Sequence, residues 1–193
     1  MDNEQIKQKW DRIYSDETEQ HWPPAEVLDH YQHLLPRQGT GLDLACGYGP
    51  NALFMAERGL TVYAWDISPV AVSGVQKAAD TKRLTVYAEV KDIDGHALLA
   101  DHFDVVVVAH YLDRTLMPYL RNSIKSGGLL FYQTFITEKI DESGPSSADF
   151  LLQPNELIAL VPGFIIRAYR EEGACGDTNR GFRNKAMLVA QKP

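Results

Sequence analysis

The chain has 193 residues, 45% of them hydrophobic, and a formal net charge of −7. This length is enough for one domain with a substantial core, and the composition is that of a globular protein. The acidic balance argues against nucleic acid and anionic membranes as partners, because both attract clustered Lys and Arg. No apolar run approaches the roughly 18 residues of a membrane span, and the N-terminus lacks a secretory signal. The two cysteines form no disulfide framework or metal-ligand pattern, so we expect a cytoplasmic protein without a bound metal.

The first 36 residues predict helices that lie outside any sheet. Ile6, Trp10 and Ile13 recur at helical spacing and predict a short amphipathic helix. This helix either caps the core or closes over a bound ligand, and the sequence leaves both roles open. Two consecutive prolines then precede a second helix that starts at Ala25.

Residues 40–68 predict a strand, a glycine turn, a helix and a second strand that ends in an acid. Gly47 and Gly49 let the backbone turn with positive φ and let a ligand approach where a Cβ would clash. Asp66, at the carboxyl end of the second strand, is placed to accept hydrogen bonds from two ribose hydroxyls. Ser68 is followed by a proline and predicts the N-cap of the next helix. The stretch therefore predicts a site for a nucleoside cofactor.

Two kinds of nucleoside cofactor are compatible with this turn. Gly47, Gly49 and Ala52 fit a nicotinamide dinucleotide fingerprint loosely. Asp43, near the end of the first strand, would repel a pyrophosphate but suits a ligand with a sulfonium and an ammonium group. Pro50 removes an N–H group near the helix start, where a phosphate needs donors. The pattern favours S-adenosylmethionine (SAM) over a dinucleotide, and a turn that holds no cofactor is the third possibility.

The chain beyond this stretch predicts alternating strands and helices. Strands are predicted over residues 84–90, 103–109 and 129–135, and a helix over residues 115–124. Four consecutive valines in residues 103–109 indicate a strand buried on both faces, as in the centre of a parallel sheet. The alternation implies parallel strands joined by right-handed crossovers.

The last third of the chain predicts a change in strand direction. A polar loop over residues 137–149 is followed by a short helix and by two strands joined through a short polar connection, so one end of the sheet should be antiparallel. We therefore expect a single α/β domain over residues 1–193. Its doubly wound, mostly parallel seven-stranded sheet with an antiparallel C-terminal hairpin occupies residues 40–193, and a helical lid or cap occupies residues 1–36.

The motif D-x-x-x-G-x-G from Asp43 to Gly49, followed by Asp66, resembles motifs I and II of the class I SAM-dependent methyltransferases. The stretches 112–135 and 149–157 are similar to the small tellurite-resistance branch of these enzymes. That branch commonly has a proline where this chain has Ser126, and an acid where it has Gln133. Neither change touches the cofactor contacts, but Gln133 leaves open whether a carboxylate role has been lost.

The resemblance implies a Rossmann-like methyltransferase fold that binds SAM and releases S-adenosylhomocysteine. It implies that Asp92 accepts a hydrogen bond from the adenine amino group and that Ile93 packs on the ring, with Asp94 as the alternative acid. The full set of implied cofactor contacts is Asp43, Ala45, Gly47, Tyr48, Gly49, Asp66, Ile67, Asp92, Ile93, Ala109 and His110.

Methyl transfer from a sulfonium mainly requires that nucleophile, methyl group and sulfur are aligned and that water is excluded. A base is needed only if the nucleophile is protonated at the working pH. His110 is the candidate base by position and by pKa range, although it is equally compatible with a bond to the backbone or a place along the methionine arm. Tyr111 is a candidate to pack or hydrogen-bond at the methyl group, and Arg114 to bind an anionic substrate or to form an ion pair.

The sequence therefore predicts SAM-dependent methylation of a small molecule, such as a thiol or the oxyanions tellurite and selenite, by a monomer or homodimer. One alternative is a SAM-binding sensor or partner subunit without turnover. The other is a nicotinamide-dependent oxidoreductase, which the position of Asp43 disfavours.

Overall fold

The computed structural model describes residues 3–16 and 22–193. Within them the chain forms one seven-stranded sheet flanked by helices. The strands are β1 (Thr40–Leu44), β2 (Thr61–Asp66), β3 (Val86–Val90), β4 (Phe103–Ala109), β5 (Ile124–Phe135), β6 (Ile165–Glu171) and β7 (Lys185–Gln191). The helices are α1 (Asn3–Asp16), α2 (Glu26–His30), α3 (Pro50–Ala56), α4 (Pro69–Lys82), α5 (Met117–Ser123) and α6 (Glu156–Ala159). None of these helices has the length and apolar character needed to cross a membrane.

The strand order is β3-β2-β1-β4-β5-β7-β6. The first five strands of this order run parallel, whereas β7 runs antiparallel to both of its neighbours. This confirms the predicted fold class, including the antiparallel hairpin at the C-terminus. The order reverses between β1 and β4, and in open α/β sheets ligands bind in the crevice beyond the carboxyl ends of the strands at such a point.

The sheet separates two apolar cores. Val105 to Val108 of β4 are all fully buried, because successive side chains enter opposite cores. On one face Val105 and Val107 pack with residues of α2, α3 and α4. On the other face Val106 and Val108 pack with residues of α5 and α6. The carboxyl ends of the parallel strands are thereby held at one edge, with α2 close to β5 and β7.

Two predicted helix boundaries are wrong. The helix predicted over residues 115–124 is a 3₁₀ turn, Arg114–Leu116, followed by α5, and β5 already begins at Ile124. Ile124 pairs with Phe103, so a long-range strand contact overrides the local helical pattern. The helix predicted from Ala25, whose apolar residues continue to Leu35, ends at His30, and a separate 3₁₀ turn, Gln32–Leu34, follows.

Candidate cofactor and acceptor site

The turn between β1 and α3 is built from left-handed backbone. Ala45, Gly47 and Gly49 have φ values of 54°, 52° and 70°. A Cβ on Gly49 would lie 2.7 Å from the side chain of Val75, so glycine is required there for α4 to pack closely. Ala45 adopts the same backbone region with a side chain, which is unfavourable for a residue other than glycine.

Asp66 at the end of β2 holds this turn in place. Its two carboxylate oxygens accept backbone N–H groups from Gly47 and Ser68, each at 2.9 Å. Desolvation raises the pKa of Asp66, and the nearby carboxylate of Asp11 in α1 raises it further. Because a carboxylate has about four acceptor positions, it can still accept the hydroxyls of a ribose. Ser68 caps α4 as predicted, by accepting the N–H of Ala71.

Asp43 lies behind the turn rather than on its open side. It is 1% exposed and accepts the backbone N–H of Ala52 at 3.0 Å and the side-chain amide of Asn51 at 3.3 Å. Burial raises its pKa to about 8. Asp43 therefore fixes the start of α3 against β1. Because it keeps its proton up to about pH 8, it brings little negative charge to a cationic ligand below that pH, contrary to the role expected from the sequence.

Helix α1 lies across the glycine turn. The hydroxyl of Tyr48 donates to the backbone carbonyl of Tyr14, and the hydroxyl of Ser68 donates to the carboxylate of Asp11. The hydroxyl of Tyr14 lies 2.9 Å from the position that a Cβ on Gly47 would occupy. The amphipathic helix thus contacts the residues assigned to the cofactor, and its role as lid or cap stays a prediction.

The acids after β3 have different surroundings. The carboxylate of Asp94 accepts the N–H groups of His96 and Ala97, both at 3.1 Å, and so caps the 3₁₀ turn Gly95–Ala97. Asp92 is exposed, and Ile93 packs against the core. Both acids were considered as acceptors for the adenine amino group. The carboxylate of Asp94 already accepts two N–H groups of this turn.

Tyr111 lies in an acidic environment at the carboxyl end of β4. Desolvation raises its pKa to about 12, and the charges of Asp113, Asp92 and Asp66 act in the same direction. A negative field of this kind disfavours a pyrophosphate and favours a ligand with positive charge and hydroxyl groups. The residues present thus fit the adenosyl part and the sulfonium of SAM.

His110 extends from the end of β4 in a left-handed conformation, with a φ of 58°. Its backbone N–H donates to the carbonyl of Gln133 at 2.8 Å, and its ring centroid lies 5.4 Å from that of Phe135. The residue keeps contact with solvent at this edge. Desolvation lowers the pKa of His110, and the positive charge of Lys185 lowers it further. Non-glycine residues in this backbone region cluster at functional sites.

Arg114 contacts a neighbouring segment of the chain. It forms two bonds to Glu156, at 2.5 Å and 2.9 Å, and also donates to the carbonyls of Asp149 and Leu151. Its guanidinium group therefore ties the turn after β4 to the segment before α6. Of the two roles expected for Arg114, the structure shows the ion pair, and the binding of an anionic substrate stays a prediction.

Sequence reasoning missed the polar residues that join α2 to the sheet. Gln133 is fully buried and accepts the backbone N–H of Val27 at 2.8 Å. Asn51 accepts the N–H of Ala25 at 2.8 Å. A glutamine within the apolar strand LLFYQTF was a usable signal, because buried polar side chains need partners. Nothing in the local sequence indicated that the partner was α2.

Comparisons with known proteins agree with this geometry. The model of a methyltransferase domain family matches residues 42–128, which contain the glycine turn and the ends of β2, β3 and β4. The crystal structure of TehB from Haemophilus influenzae has a TM-score of 0.70 and 21% identity to this chain, and the match covers 95% of this chain and 67% of that one. At this identity the likeness shows a shared fold.

Curated relatives match parts of the chain. YqeM of Bacillus subtilis, described as a methyltransferase, is 29% identical over 154 residues, which is 74% of this chain and 60% of YqeM. TehB of Haemophilus influenzae is 26% identical over 87 residues, covering 44% of this chain and 30% of TehB. Hemagglutinin 1 of Eikenella corrodens is 44% identical over 61 residues, covering 32% of this chain and 20% of that protein. The chain thus spans between a fifth and three fifths of the length of these relatives.

The fold, the family model and these relatives support a class I SAM-dependent methyltransferase with SAM as its cofactor. The chain resembles TehB in sequence over 87 residues and in fold.

Proposed function

We propose that this protein transfers a methyl group from SAM to a small molecule. The observation that carries the proposal is the carboxylate of Asp66 at the end of β2, bound to Gly47 of a left-handed turn and close to the acid-flanked Tyr111. A ribose diol and a cationic sulfur centre match these groups in hydrogen bonding and in charge.

The protein's own residues have distinct roles in this proposal. Asp66 binds the ribose, Asp92 and Ile93 bind the adenine, and α1 excludes water from the turn. When bound, SAM supplies an electrophilic methyl group and a neutral leaving group. His110 stands at the adjacent strand end, where it orients the acceptor or takes its proton. The further cofactor contacts proposed at Ala45, Tyr48, Gly49, Ile67 and Ala109 line the same edge of the sheet.

The acceptor is proposed to be a small molecule. The sequence resemblance to the tellurite-resistance branch over residues 112–135 and 149–157 makes thiols and the oxyanions tellurite and selenite the first compounds to test. We further propose one domain over residues 1–193, a monomer or homodimer, a place in the cytoplasm and no nucleic-acid partner, in keeping with the net charge of −7.

Calorimetric titration with SAM, S-adenosylhomocysteine and NAD in parallel tests the cofactor. We expect binding of both adenosyl ligands and not of NAD, and the reverse result would favour the oxidoreductase alternative. A screen for release of S-adenosylhomocysteine over thiols, selenite, tellurite, amines and acids then tests turnover. Tight SAM binding with no turnover on any of these acceptors would favour the sensor or partner subunit.

A further inference from the structure

A basic groove lies at the edge of the sheet opposite the glycine turn. It is lined by residues that precede β1 and by one residue that follows α3, namely Gln32, His33, Leu35, Pro36, Arg37 and Arg58. These segments lead into the starts of β1 and β2, where Thr40 and Thr61 are direct neighbours in the parallel ladder. The glycine turn follows the other end of β1, roughly 16 Å away for a strand of five residues. The groove is therefore separate from the proposed cofactor and acceptor site.

A close approach of two backbone segments brings both arginines to this groove. Gly59 has a φ of 97°, and a Cβ there would lie 2.7 Å from the carbonyl oxygen of Arg37. Glycine at this position therefore lets the segment that carries Arg58 lie against the segment that carries Arg37. The groove thus combines guanidinium groups from two connections that are separate in sequence.

The guanidinium group of Arg58 is held in a fixed orientation. It lies 3.2 Å from the centroid of the Phe54 ring. It donates to the carbonyl of Phe54 at 3.1 Å and to the side-chain oxygen of Gln32 at 2.7 Å. The amide nitrogen of Gln32 in turn donates to the carbonyl and the carboxylate of Asp29, which turns its oxygen toward Arg58. Because a guanidinium group has five N–H donors, Arg58 keeps donors for a further acceptor.

The positive charge of the groove is not neutralised by an ion pair within residues 3–16 and 22–193. There Arg58 bonds only to neutral oxygens, and no carboxylate lies within ion-pair distance of Arg37. The acid next to Arg58 in sequence, Glu57, pairs with Lys82 at 2.6 Å. The groove thus concentrates positive charge on a protein whose formal net charge is −7. Such a local field attracts anions even where the whole protein is acidic.

We infer that this groove binds a small molecule in which a phosphate group is carried on a compact apolar body. Arginine suits a phosphate because it donates parallel pairs of N–H bonds to the oxygens. Leu35 and Pro36, both half-buried, supply apolar surface in the same groove. The volume of the groove is about 290 Å³, at the lower end of the range for ligand pockets, and therefore suits a compact ligand. This site is additional to methyl transfer and does not depend on it.

Calorimetric titration of the full chain with phenyl phosphate tests the site, and inorganic phosphate and phenol serve as its two halves. We expect phenyl phosphate to bind more tightly than inorganic phosphate, and phenol not to bind. Arg37→Met changes an exposed side chain and should weaken the binding of phenyl phosphate about tenfold without affecting folding.

Arg58 gives a second pair of variants. Arg58→Met should weaken the binding of phenyl phosphate at least as much as Arg37→Met, because the guanidinium of Arg58 is already oriented in the free protein. Arg58→Lys should recover only part of this loss, since lysine keeps the charge but not the planar pair of donors.

Arg167→Met is the matched control. Arg167 also bonds to a neutral side chain, donating to the oxygen of Gln191 at 2.9 Å, but it lies on β6, far from β1 and β2 in the sheet. This variant should bind phenyl phosphate as the wild type does. No binding of phenyl phosphate to the wild type, or the same affinity in the wild type, Arg37→Met and Arg58→Met, would overturn the inference. Binding of phenol as tight as that of phenyl phosphate would also overturn it.

Competition separates the groove from the cofactor site. Saturation with S-adenosylhomocysteine should leave the affinity for phenyl phosphate unchanged, and Arg58→Met should leave the affinity for SAM unchanged. Displacement of phenyl phosphate by S-adenosylhomocysteine would place the phosphate at the glycine turn and overturn the inference. Failure of the chain to bind SAM would reject the proposed function, and the titration of Arg37→Met would still decide the groove.

Discussion

The proposed cofactor half and the proposed acceptor half of the site are held together over different sequence distances. In the cofactor half, the bond from Gly47 to Asp66 joins positions 19 apart, and that from Ala52 to Asp43 joins positions 9 apart. In the acceptor half, the bond from Gln133 to Glu26 spans 107 positions and that from Lys185 to Glu26 spans 159. The first half is a local motif, whereas the second exists only when α2, β5 and β7 have packed.

The two halves also handle buried charge differently. Asp43 in the cofactor half is buried among neutral donors. Glu26 in the acceptor half faces the cation Lys185 and keeps contact with solvent. The first arrangement makes the free energy of unfolding depend on pH. The second makes it depend on which side chains occupy the hydrogen-bonded positions. Changes in each half therefore have different expected effects.

The largest expected effect concerns Asp43. Its pKa of about 8 in the folded state exceeds its ordinary value of 3.8, so the folded protein retains a proton that the unfolded chain releases. This stabilisation is complete below about pH 4 and is lost as pH rises to about 8, by at most about 1.4 kcal/mol per pH unit. Denaturant unfolding from pH 5 to 8 should show this loss in the wild type relative to Asp43→Asn. Parallel pH dependence of the two proteins would contradict the assignment.

The next effect concerns Gln133. Gln133→Glu places a second carboxylate against Glu26 in a fully buried position and should lower the free energy of unfolding by about 3–5 kcal/mol. Adding Glu26→Gln restores one donor and one acceptor and should recover a large part of this loss. Gln38→Glu, at an exposed position before β1, should change the free energy by no more than about 0.5 kcal/mol. Denaturant titration of the wild type, Gln133→Glu, Glu26→Gln, the double variant and the control measures the coupling, and additive effects would argue against the network of Glu26, Gln133 and Lys185.

Asp66 has a smaller expected effect, on binding. Asp66→Ala removes the acceptor for the ribose hydroxyls and should weaken SAM binding by about 1–3 kcal/mol. Calorimetry measures this loss, and circular dichroism checks that the protein still folds. Asp66→Asn serves as the matched variant, because it keeps the shape and one acceptor while removing the charge. Unchanged affinity in Asp66→Ala would rule out the ribose assignment.

The smallest expected effect concerns Ala45. Its φ of 54° favours glycine, so Ala45→Gly should raise the free energy of unfolding by about 0.5–1 kcal/mol. Ala78→Gly in the middle of α4 should lower it by about 1 kcal/mol, because glycine is disfavoured within a helix. Thermal unfolding of the two variants should therefore shift in opposite directions. A loss of stability in both would show that the backbone at Ala45 is not strained.

Much of the fold followed from local patterns. The valines of β4 indicated a central strand, and the short connection between the last two strands indicated an antiparallel hairpin; the structure confirms both. The boundaries near Ile124 and His30 were wrong because strand pairing and packing, rather than helical periodicity, decide where those elements begin and end.

The sequence by itself determined the glycine turn and the acid that ends the next strand, because the two lie within 30 residues and follow from backbone geometry. Only the tertiary structure decided that Asp43 faces α3, that Asp94 caps a turn and that Arg114 binds Glu156. It also decided the acceptor half, where Glu26, Gln133 and Lys185 meet from distant segments. The physical reason is that side-chain networks depend on which strands become neighbours, and local periodicity carries no record of that pairing.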